Sequence, residues 1–266
     1  MKEAIVKLLS PGNPWAGQLN WLETTDSTNL QARLMAAQGA PHGTIVIAGH
    51  QTGGRGRMGR SFHSPKGMGV YLSVILRPQQ PSDALMHLTC AAGKAMCDAV
   101  ERVAGFRPGI KWTNDLVCQG RKLGGILVEA ALSPKTGVPE ALILGVGINI
   151  SQTLQDFPEE LQGFAGSLEM ISKQKVDLFA LAAAMTDALW EMDRTLFSGK
   201  AAMLDAYRAD CVTLGQDVVL VRGDEKEYGK ALDIDENGGL IVRFRDGQVK
   251  TVTSGEVSVR GIYGYL

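Results

Sequence analysis

The sequence predicts an α+β chain, with a mixed-sheet body followed by a small all-β unit. Three observations carry that expectation. Up to about Asp210, β-branched and apolar runs alternate with longer stretches of helical period. Near Gly215 the helical period stops, and short strand candidates follow at Asp217–Val221, Glu227–Asp235, Leu240–Arg245, Gln248–Thr253 and Val257–Arg260. Between them, Asn237-Gly238 and Asp246-Gly247 are two-residue hairpin signals, as expected of a small barrel. The body is expected to span residues 1–213 and the small unit residues 214–266.

The body reads element by element. Leu19–Glu23 is a strand, and Thr25-Asp26-Ser27-Thr28-Asn29 offers N-caps for a helix to about Gln38, ended by Gly39 and Pro41. Thr44–Ala48 and Gly69–Leu76 are buried strands. Ser82-Asp83 starts a helix that runs to about Ala104 and ends at Gly105 and Pro108. Ile110–Thr113, Leu116–Gln119, Leu123–Leu132 and Ala141–Ile150 are further strands, the last carrying Gly145 and Gly147. Residues 151–172 look irregular, and Val176–Phe197 and Ala201–Asp210 are helices.

Composition excludes several classes. The chain is 45% hydrophobic and 21% charged with a net charge of -1, which provides no general field for DNA or RNA. No apolar run approaches the roughly 20 residues of a membrane span, and Met1–Ser10 is too short in apolar length for a secretory signal. Cys90, Cys97, Cys118 and Cys211 form no CxxC pair; Cys90 and Cys97 fall on one helix face as small buried hydrophobes. His42, His50, His63 and His87 make no metal-binding pattern, so no protein-held metal is expected. The expected compartment is the cytoplasm.

Between two strands lies Gly53-Gly54-Arg55-Gly56-Arg57-Met58-Gly59-Arg60, with four glycines and three arginines. Glycine is costly to order and arginine costly to bury unpaired, so this stretch reads as a cationic loop that closes on an anion. It contains a literal G-x-G-x-x-G at Gly54, Gly56 and Gly59. A dinucleotide fingerprint must open a helix and be followed by an acidic residue, whereas this one leads to a strand and meets Gln79 and Gln80. The Rossmann reading fails, and the chain has no P-loop motif. Lys122 at a sheet edge, Asp115 at a strand end and the loop arginines together suit chemistry on a carboxylate and a phosphate.

That combination resembles the biotin protein ligases. The resemblance runs from Asp26-Ser27-Thr28-Asn29 through Gln51–Arg60, Lys111-Trp112-Thr113-Asn114-Asp115 and Arg121–Glu129 to Gly145-Val146-Gly147-Ile148-Asn149, and the C-terminal unit looks like the family's SH3-like domain. It implies a catalytic domain of the class II synthetase-like biotin/lipoate ligase type. It also implies two half-reactions, formation of biotinyl-5′-AMP from biotin and ATP with Mg²⁺, then transfer to a lysine of a biotin carboxyl carrier protein. Carried over residue by residue, the catalytic groups are Lys122, Arg57 and Asp115. Biotin falls to Ser27, Thr28, Asn29, Gln51, Gly54, Arg55, Arg57, Lys122, Gly125 and Gly145. ATP and the adenylate fall to Arg57, Arg60, Phe62, Lys111, Trp112, Asn114, Lys122 and Asn149.

The chain departs from the family at Thr113, where Pro is usual, and at Phe62, where tryptophan is usual. Thr113 loosens a turn and Phe62 keeps an aromatic face, so neither removes a reacting charge. About 20 residues precede the first core strand, so a ligase without an N-terminal DNA-binding domain is expected. A homodimer through the central sheet is compatible with the resemblance. A lipoate ligase, or a biotin-binding protein without transfer activity, are the alternatives.

Overall fold

The computed structural model describes residues 1–80, 85–132, 139–222, 224–253 and 258–261. A seven-stranded sheet takes the order β1-β2-β3-β7-β6-β5-β4, from β1 (Leu19–Leu22), β2 (Ile45–Ala48), β3 (Gly69–Leu76), β4 (Gly109–Lys111), β5 (Asp115–Cys118), β6 (Arg121–Leu132) and β7 (Pro139–Asn149). Only β1 and β2 pair in parallel; β3 to β7 and the remaining neighbours are antiparallel, so the sheet is mixed as expected.

The pleat sorts side chains by parity. Val70, Leu72, Val74 and Leu76 of β3, with Leu144, Val146 and Ile148 of β7, enter the main core. That core holds buried residues of α3 (Leu88–Ala104), α6 (Leu178–Thr195) and α7 (Lys200–Asp210). Ile75 and Ile143 turn the other way and meet Ala32 and Ala36 of α2 (Thr28–Ala37) in a smaller cluster. Each fully buried aliphatic contributes about 1.5–3 kcal/mol, which makes the sheet a rigid platform. Cys90 and Cys97 are buried on α3, where desolvation pushes the Cys90 thiol up to about 12 and the Cys97 thiol still higher.

Three expectations shift. The helix start expected at Ser82-Asp83 lies outside the described residues, and α3 begins at Leu88 with His87 as its N-cap. β5 and β6 start at Asp115 and Arg121 because Gln119 and Gly120 form a tight turn with φ of 51° and 71°, drawing Lys122 into the ladder opposite Val117. Residues 151–172 hold a 3₁₀ turn (Leu154–Asp156) with a Thr153/Asp156 capping box, α4 (Glu159–Gln162) and α5 (Leu168–Ser172); these are too short to show a helical period. The N-terminal segment also has structure: α1 (Lys2–Val6) buries Ile5, and Ser10 and Asn13 donate to the Asp187 carboxylate of α6 at 2.8 to 3.1 Å.

The C-terminal strands β8 (Asp217–Arg222), β9 (Glu225–Ile234), β10 (Leu240–Phe244), β11 (Val249–Val252) and β12 (Ser258–Gly261) form an antiparallel sheet in the order β11-β10-β9-β8-β12. Turns stand at both expected places, with Gly238 at φ 84° and Gly247 at φ 86°, but the loops are longer than two residues, running from Ile234 to Leu240 and from Phe244 to Val249.

His87 packs wholly inside the body. Its Nε2 donates to the Leu196 carbonyl at 2.9 Å, its Nδ1 makes no hydrogen bond, and burial pushes its pKa below the ordinary 6.5. The unfolded chain therefore takes up this proton at a higher pH than the folded chain. Stability is held above about pH 6.5 and declines as pH falls through that value toward the folded-state pKa. Urea midpoints measured at about pH 7.5 and 5.5 are expected to fall less for His87→Gln than for the unaltered protein.

Candidate active site

A cleft opens on the α2 face of the sheet, lined by α2, the Gly/Arg loop, β6 and β7. It exists because that face lacks side chains at its centre. Asp115, Gly125, Gly147 and Tyr71 stand in one row across β5, β6, β7 and β3; Leu127, Gly145 and Ser73 stand in the next. A Cβ on Gly145 would collide with the Asn29 amide, and one on Gly147 would lie 2.5 Å from the Phe62 ring. Those two spaces are filled by the protein itself, while at Gly125 the nearest atoms are Lys122 Cε and Nζ at 3.4 Å. The sequence expectation that Gly145 admits a ligand is therefore refined: it admits Asn29, which lines the cleft.

At one end the cleft carries short polar groups. Gln51 Oε1 accepts from Thr28 N at 2.8 Å, so its Nε2 must donate, and does so to Ser64 Oγ at 2.9 Å. Ser64 in turn donates to the Phe62 carbonyl. Ser73 Oγ lies 2.8 Å from Thr28 Oγ1 and 2.6 Å from Asn29 Oδ1. Asn29 Nδ2 donates to Glu129 Oε2 at 2.8 Å, and Glu129 Oε1 also meets Arg33 at 3.0 Å and Arg55 at 3.4 Å. Ser27, the N-cap of α2, is buried beside this network and lines the cleft.

The other end is ionic. Lys122 Nζ lies 2.6 Å from Asp115 Oδ1, with both side chains mostly buried. Asn114 Nδ2 reaches Asp115 Oδ1 at 3.2 Å, while Asn114 Oδ1 accepts from Arg57 Nη1 at 2.7 Å. Desolvation lowers the proton affinity of Arg57, the Asp115 carboxylate opposes this, and Arg60 adds to the lowering. An arginine stays charged through such a shift, so Arg57 is a cation held in poorly solvated surroundings.

The Gly/Arg stretch is a short hairpin rather than the opening of a nucleotide-binding helix. Arg55 bridges Ser61, Gly56 N donates to Arg60 O at 2.7 Å, and Phe62 N donates to Gly54 O at 2.9 Å. Gly54 is buried under this crossing, where a Cβ would sit 2.4 Å from the Phe62 carbonyl oxygen. A 3₁₀ turn at Arg57–Gly59 puts Met58 at φ 57°.

The cleft brings together Ser27, Thr28, Asn29, Gln51, Arg55, Arg57, Phe62, Asn114, Lys122, Gly125 and Gly145. Asp115 enters through Lys122, and Gly54 lies beneath the hairpin. Arg60, Lys111, Trp112 and Asn149 do not line it. Arg60 is exposed on the loop and Lys111 is buried in β4. The Trp112 indole faces the C-terminal unit, where Nε1 donates to Gly238 O at 3.0 Å. Asn149 Nδ2 donates to Gly166 O at 2.9 Å, and Gly166 N donates to Lys122 O, so Asn149 braces the strand that carries Lys122. Sequence reasoning passed over Ser73, Ser64 and Glu129 as site residues. Ser73 had a usable signal, since it is the one polar residue in the apolar run Val70–Leu76 apart from the Tyr71 hydroxyl.

Among the described residues no group of three or more His, Cys, Asp or Glu side chains could hold a metal ion, and no helix is long and apolar enough to cross a membrane. Residues 21–149 match the model of the biotin/lipoate A/B protein ligase family, and residues 213–260 match the biotin protein ligase C-terminal domain. The chain is 34% identical over 260 residues to the biotin–[acetyl-CoA-carboxylase] ligase of Mycobacterium tuberculosis, covering 94% of this chain and 92% of that one. It is 33% identical over 242 residues to the bifunctional ligase/repressor BirA of Bacillus spizizenii, covering 91% and 74% respectively. Its fold is similar to that of the Aquifex aeolicus biotin protein ligase in complex with biotin and ATP, with TM-score 0.77, 30% identity, and coverage of 92% of this chain and 99% of that one. The two family models, and a biotin–[acetyl-CoA-carboxylase] ligase 34% identical over 92% of its own length, place the chain in the biotin protein ligase family.

Proposed function

We propose that the protein is an ATP-dependent biotin protein ligase. Biotin's carboxylate oxygen attacks the α-phosphate of ATP, the bond to the β-phosphate breaks, and biotinyl-5′-AMP and pyrophosphate form. The amine of a specific lysine on a biotin carboxyl carrier protein then attacks the acyl carbon, AMP leaves, and an amide remains. Residues 1–213 carry this chemistry in the proposal, with residues 214–266 as the C-terminal unit. The observation that carries the reading is that Lys122 with Asp115, and Arg57 with Asn114, meet at one cleft whose other end is a fixed polar network. The Aquifex aeolicus neighbour bound to biotin and ATP, and the relatives named for acetyl-CoA carboxylase, support the choice of substrates and acceptor.

The first step must bring two anions together. Preorganised cations in a site that excludes water lower that barrier without reorganising solvent at the moment of reaction. Lys122 is fixed by Asp115 on one side and by the backbone bonds to Phe164 and Gly166 on the other. Arg57 comes from the hairpin, so the same cation that stabilises developing phosphate charge also holds the lid down. Arg55 supports it through Glu129. The Thr28–Gln51–Ser64 chain presents fixed donors and acceptors to a small polar ring such as the ureido group. Asp115 is the anion we assign to receive the proton of the incoming lysine. Magnesium enters in the proposal as part of the MgATP substrate, held mainly by phosphate oxygens.

Incubation with biotin, ATP and a carrier domain is expected to release pyrophosphate and add one biotinyl group to the carrier. Modification with lipoate and not biotin would overturn the reading. Lys122→Ala is expected to cut ATP–pyrophosphate exchange by on the order of 10²–10³, the usual loss for a preorganised charge-stabilising donor. Arg57→Ala is expected to keep the fold, since the residue lies on a surface hairpin, and to release adenylate into solution faster. Trapping free adenylate by filtration measures this; retention equal to the unaltered protein would remove Arg57 from the lid role.

A further inference from the structure

The turn that carries Asn114 and Asp115 has two sides. Toward the cleft, Asn114 accepts from Arg57, and its Nδ2 donates to the Ile126 carbonyl at 3.1 Å. Away from the cleft, Trp112 and Thr113 are 4% and 2% exposed and are held from behind. Trp112 N donates to Thr213 Oγ1 at 2.9 Å, Tyr207 OH donates to Thr113 O at 3.2 Å, and Trp112 Nε1 donates to Gly238 O at 3.0 Å. The last bond crosses from the catalytic sheet to the C-terminal unit.

The acceptor at Gly238 is not a carbonyl of opportunity. Asp235 Oδ1 accepts from Asn237 N at 2.8 Å and Gly239 N at 2.7 Å, which fixes the turn from inside. Gly238 sits at φ 84°, and a Cβ there would lie 2.8 Å from Cys90 Sγ in α3. Around the turn, Lys200 donates to Asn237 Oδ1 at 3.2 Å, and Arg208 donates to Ile234 O and Asp233 Oδ1. A preformed turn pinned to α3 and α7 thus delivers one carbonyl to the indole that starts the Asn114–Asp115 turn.

We infer that the Asp235–Gly239 turn is a positioning element of the active site, acting through Trp112 to set Asn114 and Asp115 and, through Asn114, the Arg57 lid. Trp112 does not line the cleft, and its effect is transmitted through the turn it begins. Displacements of about 1 Å at groups that orient reacting atoms cost far more in rate than in folding. The biotin end of the cleft is built on α2, β3 and Gln51, with its own hydrogen bonds among Thr28, Asn29, Gln51 and Ser73, so the two ends should separate experimentally.

The kinetic part of the test rests on the biotin ligase reading, and the exchange part does not. Gly238→Ala strains the turn from outside the cleft, and Trp112→Phe removes the donor while keeping an aromatic body in the core. In each full-length variant the rate of adenylate formation is expected to fall about tenfold or more while biotin affinity stays within about twofold. Amide hydrogen exchange is expected to speed up at residues 112–116 and in the hairpin at 54–60, relative to the unaltered protein. Unchanged exchange in the hairpin, an unchanged rate, or loss of biotin affinity in parallel with rate would each overturn the inference. If the unaltered protein forms no adenylate, exchange alone decides, and only the ligase reading falls.

Discussion

The missing side chains at Gly125, Gly145 and Gly147 govern the rest of the site. A β-sheet buried on one face normally presents a carpet of Cβ atoms on the other, held at the spacing of the pleat. Here the middle of that carpet is bare, so elements on that face can come down onto backbone. Asn29 descends from α2 into the space at Gly145, and Phe62 descends from the hairpin into the space at Gly147. Both contacts pull polar partners with them: Asn29 brings Ser73 and Glu129 into register, and Phe62 anchors the strand that leaves the arginine hairpin. Glycine is costly in a strand, and the apolar ladders on either side offset that cost.

On this platform the charges are arranged locally. A net charge of -1 gives the molecule no useful field, yet Arg55, Arg57 and Lys122 converge on one opening, each beside a carboxylate or amide. Pairing with Asp115, Glu129 and Asn114 fixes the geometry of the cations while leaving the opening rich in donors. This arrangement suits a reaction in which negative charge develops between two anionic reactants, because the donors are in place beforehand.

Much of this was legible in the sequence, and particular residues show why. The strands were visible because Val70–Leu76 and Ala141–Ile150 are continuous apolar runs that only a doubly covered sheet can bury. The hairpins at Asn237-Gly238 and Asp246-Gly247 were visible because positive φ at the second residue demands glycine. Arg57, Lys122 and Asp115 each have ordinary readings taken singly; the resemblance singled them out together, and the structure brings them to one end of the cleft. Trp112 and Asn149 stand outside the cleft lining, because a motif records which residues travel together, not which way each side chain turns. Ser73 was passed over although a lone serine in an apolar run is a signal, and Glu129 because a single acidic residue in a strand reads as a solvated one. The short helices at Glu159–Gln162 and Leu168–Ser172 span too few turns for periodicity to register.

The strand order also governs when the cleft comes into being. β4, β5, β6 and β7 follow one another as an antiparallel meander, so the half that holds Asp115, Lys122 and the three glycines assembles from neighbours in sequence. The half that holds Thr28, Gln51 and Arg57 joins it only through the pairing of β3 with β7, which links Tyr71 to Gly147 and Ser73 to Gly145 across about a third of the body. Local pairings form early because they close short loops, and distant ones must wait for the entropy of a long loop to be overcome. Without that pairing the meander offers Asp115, Lys122 and a glycine face but not Thr28, Gln51 or Arg57, so the cleft depends on the whole sheet.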